Sequence, residues 1–141
     1  MTGLVVACAV LAAATVFGLV RRRRDGVLRE RTGRGAVPAD RVAAADLGAE
    51  LGERATLVQF SSAFCAPCRA TRRVLGEVAE MVDGVAHVEL DAEEHLDLVR
   101  RLNVLRTPTV LVLDAAGNIV RRAAGQPRKA DVIAALGVAI Q

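Results

Sequence analysis

Apolar positions along this chain change their period several times, and each change marks an element. From Gly3 to Val20 the residues are uncharged and mostly apolar, with Leu4, Val5, Val6, Val10, Leu11, Val16, Phe17, Leu19 and Val20 among alanines. As a helix the run spans about 27 Å at about 1.5 Å per residue, close to the ~30 Å hydrocarbon core of a bilayer. Residues 21–39 lack apolar periodicity and are rich in Arg and Gly, so they read as a flexible tether. Asp40 then caps a predicted helix whose apolar side uses Val42, Ala43, Leu47 and Leu51 and which closes at Gly52. Thr56 to Ser61 is an almost wholly apolar run, the pattern of a buried central strand.

Pro67 opens a helix in which Val74, Leu75, Val78, Met81 and Val82 recur at intervals of three and four, and Asp83-Gly84 ends it. Val85 to Asp91 alternates as a strand. Ala92 to Leu102 carries Leu96, Val99 and Leu102 on one helical face. Thr109 to Leu113 reads as a second strand of core type. The turn cluster Asp114 to Asn118 joins it to Ile119–Ala123 as a hairpin. Gly125 and Pro127 break the chain before a last amphipathic helix, Arg128 to Ile140. The order α-β-α-β-α-β-β-α predicts an α/β domain, a mixed sheet flanked by helices, over residues 40–141. It follows an anchor at 1–20 and a basic tether at 21–39.

Charge adds a topology. The chain has a formal net charge of +3, but residues 21–39 hold seven arginines against Asp25 and Glu30, and the rest of the chain beyond them is net acidic. Arg21 to Arg24 directly follow the apolar run, and positive flanks stay in the cytoplasm, which puts the domain on the cytoplasmic side of a single-pass membrane protein. A cleaved signal would carry its basic residues before the run, where Met1-Thr2-Gly3 has none. Val5-Val6-Ala7-Cys8 resembles a lipoprotein cleavage box but leaves too short an apolar stretch ahead of Cys8, which reads as a helix residue. The chain has no Tyr or Trp and three Phe, a poor composition for stacking bases, so nucleic acid is not an expected partner.

The chemistry concentrates in Phe60-Ser61-Ser62-Ala63-Phe64-Cys65-Ala66-Pro67-Cys68-Arg69. A helix N-terminus presents unpaired N–H groups and partial positive charge, which stabilise Cys65 as a thiolate. Cys65, nearer the helix opening, is the expected nucleophile, and Cys68, a turn deeper, the expected resolving thiol. Pro67 restricts the turn between them and Arg69 adds a nearby positive charge. A zinc site is a poor fit, because His87 and His95 lie too far along the chain to complete compact ligand pairs with the cysteines.

Cys65-Ala66-Pro67-Cys68 after an apolar strand, Val88-Glu89-Leu90-Asp91 closing the next strand, Thr107-Pro108-Thr109 and Gly125 occur here in one order and spacing. Over residues 40–141 this arrangement resembles the thioredoxin superfamily. The resemblance implies a thiol–disulfide oxidoreductase with no organic cofactor of its own. Its partners would be protein disulfides and a thiol electron donor, either a thioredoxin reductase or a membrane donor. It also implies a cis Pro108 packed against the disulfide, and Thr107 pairing by backbone with an extended substrate. Three positions depart from the family pattern. Phe64 stands where Trp is usual, Gln59 where a buried Asp relays a proton, and His87 at or near the position of a Lys that pairs with that Asp. An amide cannot serve as a base near neutral pH, so resolution by Cys68 should be slowed or use His87 or water. Two other functions fit the same residues, a non-catalytic interaction module of this fold and an exchange protein acting outside the cytoplasm.

Overall fold

The computed structural model describes residues 2–30 and 41–141. Helix α1 spans Thr2–Arg24, and strand β1 is the pair Arg29–Glu30. The domain follows as α2 (Ala44–Leu47), β2 (Ala55–Ser61), α3 (Ala66–Met81), β3 (Val85–Asp91), α4 (Leu96–Arg101), β4 (Thr109–Asp114), β5 (Ile119–Ala124) and α5 (Lys129–Ala139). The expected cap at Asp40 and the stretch 31–39 of the expected tether lie outside the described residues.

The sheet runs in the order β1-β5-β4-β2-β3. Its four-stranded mixed core pairs β2 with β3 in parallel, and β2 with β4 and β4 with β5 antiparallel. β2 is buried along its full length, which is why its sequence shows a run rather than an alternation. Odd and even residues of β2 still serve different layers. Val58 and Phe60 pack with Leu47, Leu98 and Leu102 from the α2 and α4 side. Ala55 and Leu57 pack with Leu75 and Val78 of α3 and with Val132 and Leu136 of α5. Each such Val, Leu or Phe side chain removed from water contributes about 1.5–3 kcal/mol. Phe60 pairs with Thr109, so the exit of β2 and the entry of β4 share one end of the sheet.

Two helices are shorter than the sequence predicts. α2 stops after Leu47 because Gly48 takes a left-handed conformation at φ 61, while the Ala43 N–H donates to Asp46 Oδ2 at 2.9 Å at the other end. Gly52, expected to close that helix, instead permits a close backbone approach: a Cβ there would lie 2.1 Å from the Ala55 carbonyl oxygen. α4 begins at Leu96 rather than Ala92, since Asp91 holds the intervening residues in turns. Its carboxylate accepts from the Glu93 N–H at 2.8 Å and its carbonyl from the Glu94 N–H at 3.2 Å. On α3 the buried residues are Cys68, Thr71, Leu75 and Val78. Met81, expected on that stripe, is 63% exposed at the last turn.

α1 buries none of its residues. It is long and apolar enough to cross a membrane, a property that a signal sequence near an N-terminus shares. Residues 25–30, expected within the tether, lie against the domain. The Gly26 N–H donates to the Ala124 carbonyl at 2.9 Å, and β1 pairs antiparallel with β5, Arg29 opposite Arg122 and Glu30 opposite Arg121. Backbone bonds, the Asp25–Arg106 ion pair and the single apolar side chain of Leu28 packed on the α3–α5 core make the contact, so no apolar period announces it.

Candidate active site

Cys65 is the N-cap of α3, and its sulfur accepts a hydrogen bond from the Cys68 N–H at 3.2 Å. The two cysteines form a disulfide with an S–S distance of 2.03 Å. Cys68 is 2% exposed, whereas Cys65 is only half-buried. An incoming thiolate therefore has access to the outer sulfur. Pro67, in the first turn of α3, lacks the N–H that a helix start leaves unbonded anyway, and its carbonyl accepts from Thr71 Oγ1 at 2.9 Å. Phe64 is fully exposed and holds φ at 59°. Left-handed backbone is uncommon for a non-glycine residue, and it turns the aromatic ring outward beside the disulfide. Arg69 is exposed one residue beyond Cys68.

The peptide between Thr107 and Pro108 is cis, as the resemblance implies. Pro108 is buried and its carbonyl accepts from the Gly125 N–H at 2.8 Å. Thr107 reaches the cysteine loop, its Oγ1 lying 2.8 Å from Ser62 Oγ. Sequence reasoning missed Ser62. Its position one residue past the end of a buried strand carries no mark of a loop-to-loop bond.

Beneath α3, Gln59 is 0% exposed. Its Nε2 donates to the Cys68 carbonyl at 2.8 Å and to Ser61 Oγ at 2.9 Å, and its Oε1 lies 3.2 Å from His87 Nε2. A carbonyl can only accept, so the amide must turn its NH2 group toward Cys68. Oε1 is then left as an acceptor, and His87 must carry its hydrogen on Nε2. Burial pushes the His87 imidazole below its ordinary value of 6.5, with Glu89 opposing that shift and Arg72 adding to it. The ring is therefore neutral at neutral pH. Glu89 is ion-paired with Arg72 across from β3 to α3, and that hydrogen bond holds its carboxyl below the ordinary 4.5.

The thioredoxin family model matches residues 42–137. The chain belongs to the thioredoxin family. Among curated thioredoxins, that of Alicyclobacillus acidocaldarius is 32% identical over 91 residues, covering 64% of this chain and 86% of that protein. The thioredoxin of Bacillus subtilis is 33% identical over 84 residues, covering 58% of this chain and 80% of that protein. A solved chloroplastic thioredoxin z superposes with a TM-score of 0.55 at 30% identity, covering 61% of this chain and 78% of its own. A mutant thioredoxin from Halobacterium salinarum gives a TM-score of 0.58 at 20% identity over 63% of this chain and 77% of its own, a likeness of fold. As a thioredoxin-family domain whose paired Cys65 and Cys68 stand at disulfide distance, the protein is a thiol–disulfide oxidoreductase. α1 and β1 lie outside the matched residues.

Proposed function

We propose that this thioredoxin-family protein is a membrane-anchored protein-disulfide reductase, with Cys65 attacking, Cys68 resolving and Thr107-Pro108 holding the substrate backbone. The observation that carries the reading is the asymmetry of the pair: Cys65 caps the helix with partial access to solvent, while Cys68 is 2% exposed one turn inside. In the reduced protein, the N–H groups at the start of α3 and the Arg69 charge favour Cys65 as thiolate. That thiolate attacks one sulfur of a substrate disulfide. A mixed disulfide forms and the first substrate thiolate leaves. Cys68 then loses its proton to water and attacks Cys65 Sγ, which releases the second substrate thiolate and leaves Cys65–Cys68 oxidised. Two electrons have passed to the substrate, and a dithiol donor, a reductase or a membrane donor, restores the pair. The chemistry requires no organic cofactor.

Phe64, fully exposed beside the disulfide, offers the substrate an apolar surface. The length and apolar character of α1 support an anchor, and the Arg21–Arg24 block that ends it supports a cytoplasmic domain, where a reducing pool keeps the pair as dithiols. The test is insulin-disulfide reduction by the full chain with a dithiol donor, which Cys65→Ser should abolish. Activity that survives that substitution refutes the assignment. Sidedness is read by labelling intact cells with an impermeant maleimide, and Cys65 should be shielded in them.

A further inference from the structure

Beside the disulfide lies a groove of about 710 Å³ lined by Arg22, Asp25, Pro67, Thr107, Pro108 and Arg128, among others. Arg22 and Asp25 come from the segment that precedes the family match at residue 42. One wall of the groove is thus an addition to the thioredoxin domain.

That wall is fastened to the loop that carries Pro108. Arg106, next to Thr107, donates from Nη2 to Asp25 Oδ1 at 2.8 Å and to the Ala124 carbonyl at 2.7 Å. The Gly26 N–H donates to the same carbonyl at 2.9 Å. Gly26 can lie this close because it has no side chain: it holds φ at +77, and a Cβ would fall 1.9 Å from the Gln126 carbonyl oxygen. The backbone pairing of β1 with β5 continues the attachment.

The wall also changes the charge of the groove. Arg22, Arg106, Arg128 and Lys129 line it against one carboxylate, Asp25. Three of the four cations are engaged, Arg106 by Asp25, Arg128 by Asp131 at 2.9 Å and Lys129 by Glu77 at 3.0 Å. Arg22 is paired with no carboxylate among the described residues, and it adds its charge within the groove. A guanidinium presents a planar fork suited to a carboxylate, and a partly enclosed site screens the pair less than open water does.

We infer that the groove is a composite substrate site in which Arg22, at the end of the N-terminal helix, selects polypeptides that carry an acidic side chain near their reactive disulfide. The inference rests on the disulfide-reductase reading and names the substrate class for that same site.

The experiment uses the full chain in nanodiscs of phosphatidylcholine alone, which leaves no anionic headgroup to compete. Three peptides of one sequence, each with one internal cystine, carry Glu, Gln or Lys beside it. The Glu peptide should have a KM about three-fold below the Gln peptide and about ten-fold below the Lys peptide, the scale of one or two exposed charge pairs. The three kcat values should agree. Arg22→Glu should invert the order, and Arg23→Glu, the same charge change outside the groove lining, should preserve it. Equal KM values, or an inversion by Arg23→Glu, overturn the inference while the reductase reading stands. If none of the three peptides is turned over, the reductase reading fails and the inference fails with it.

Discussion

Gln59 Nε2 donates to the carbonyl oxygen of Cys68 at 2.8 Å, so the buried amide grips the backbone of the inner cysteine and supplies it with no titratable proton. Resolution of a mixed disulfide should then depend on deprotonation of Cys68 without help from a buried carboxylate. Gln59→Asp inserts one. The variant should be destabilised by about 1–3 kcal/mol, because a carboxylate cannot donate to the Cys68 carbonyl. Its resolution rate, followed by stopped flow, should acquire a new titration between about pH 6 and 9. A profile that superposes on the wild type would remove Gln59 from the account.

The exposure difference between the two cysteines gives a trapping experiment. Cys68→Ser should accumulate a covalent adduct with a disulfide peptide through Cys65, since the resolving attack is lost. With the exposed Cys8 replaced by Ser in both variants, Cys65→Ser should form little, because Cys68 is then the one cysteine left and is 2% exposed. Intact-mass spectrometry under non-reducing conditions reads both outcomes, and equal adduct in the two variants contradicts the assignment of roles.

Stability should fall with acid earlier than carboxylates alone would cause. Burial lowers the folded pKa of His87 beneath its ordinary 6.5, so the unfolded chain binds a proton there first. The contribution is fully present above 6.5 and is lost as pH falls through the lower folded value. Glu89 acts in the same direction but only below its own ordinary 4.5, where its Arg72 partner loses it. Urea unfolding from about pH 7.5 to 5.5 should show stability declining in wild type and nearly level in His87→Gln. An equal slope in both assigns the decline to another group.

Two glycines should respond oppositely to alanine. A Cβ at Gly52 would lie 2.1 Å from the Ala55 oxygen and 2.7 Å from the Ala86 nitrogen, both backbone atoms. Gly52→Ala should therefore cost more than about 2 kcal/mol in chemical denaturation. Gly137, in α5, has nothing within 4 Å of that position, so Gly137→Ala should gain about 0.5–1 kcal/mol from helix propensity.

What the sequence made legible follows from which interactions leave a trace in side-chain type. The β2 and β4 runs, the stripe of α3 and the Cys65-Ala66-Pro67-Cys68 helix start all depend on side chains, and each element stands within a residue or two of where its pattern put it. The departures are places where backbone decides. Gly48 ends α2 through its own dihedral angles, Asp91 unwinds the start of α4 through two hydrogen bonds to N–H groups, and β1 joins the sheet by backbone pairing with β5. At the site, Gln59 stood out as the wrong residue for a proton relay. Its donor role toward Cys68, and hence the tautomer of His87, required the geometry. Arg22 was legible as charge but not as part of a groove.

β1 has one more consequence. Arg29 and Glu30 lie opposite Arg122 and Arg121, and Gly26 bonds to Ala124, so the second half of β5 already has a backbone partner on its outer side. Copies confined to a two-dimensional surface collide far more often than the same number in solution, and bare strand flanks are where such encounters turn into sticky, intermolecular ladders. The segment that would confine the domain thus also covers part of one flank that confinement endangers.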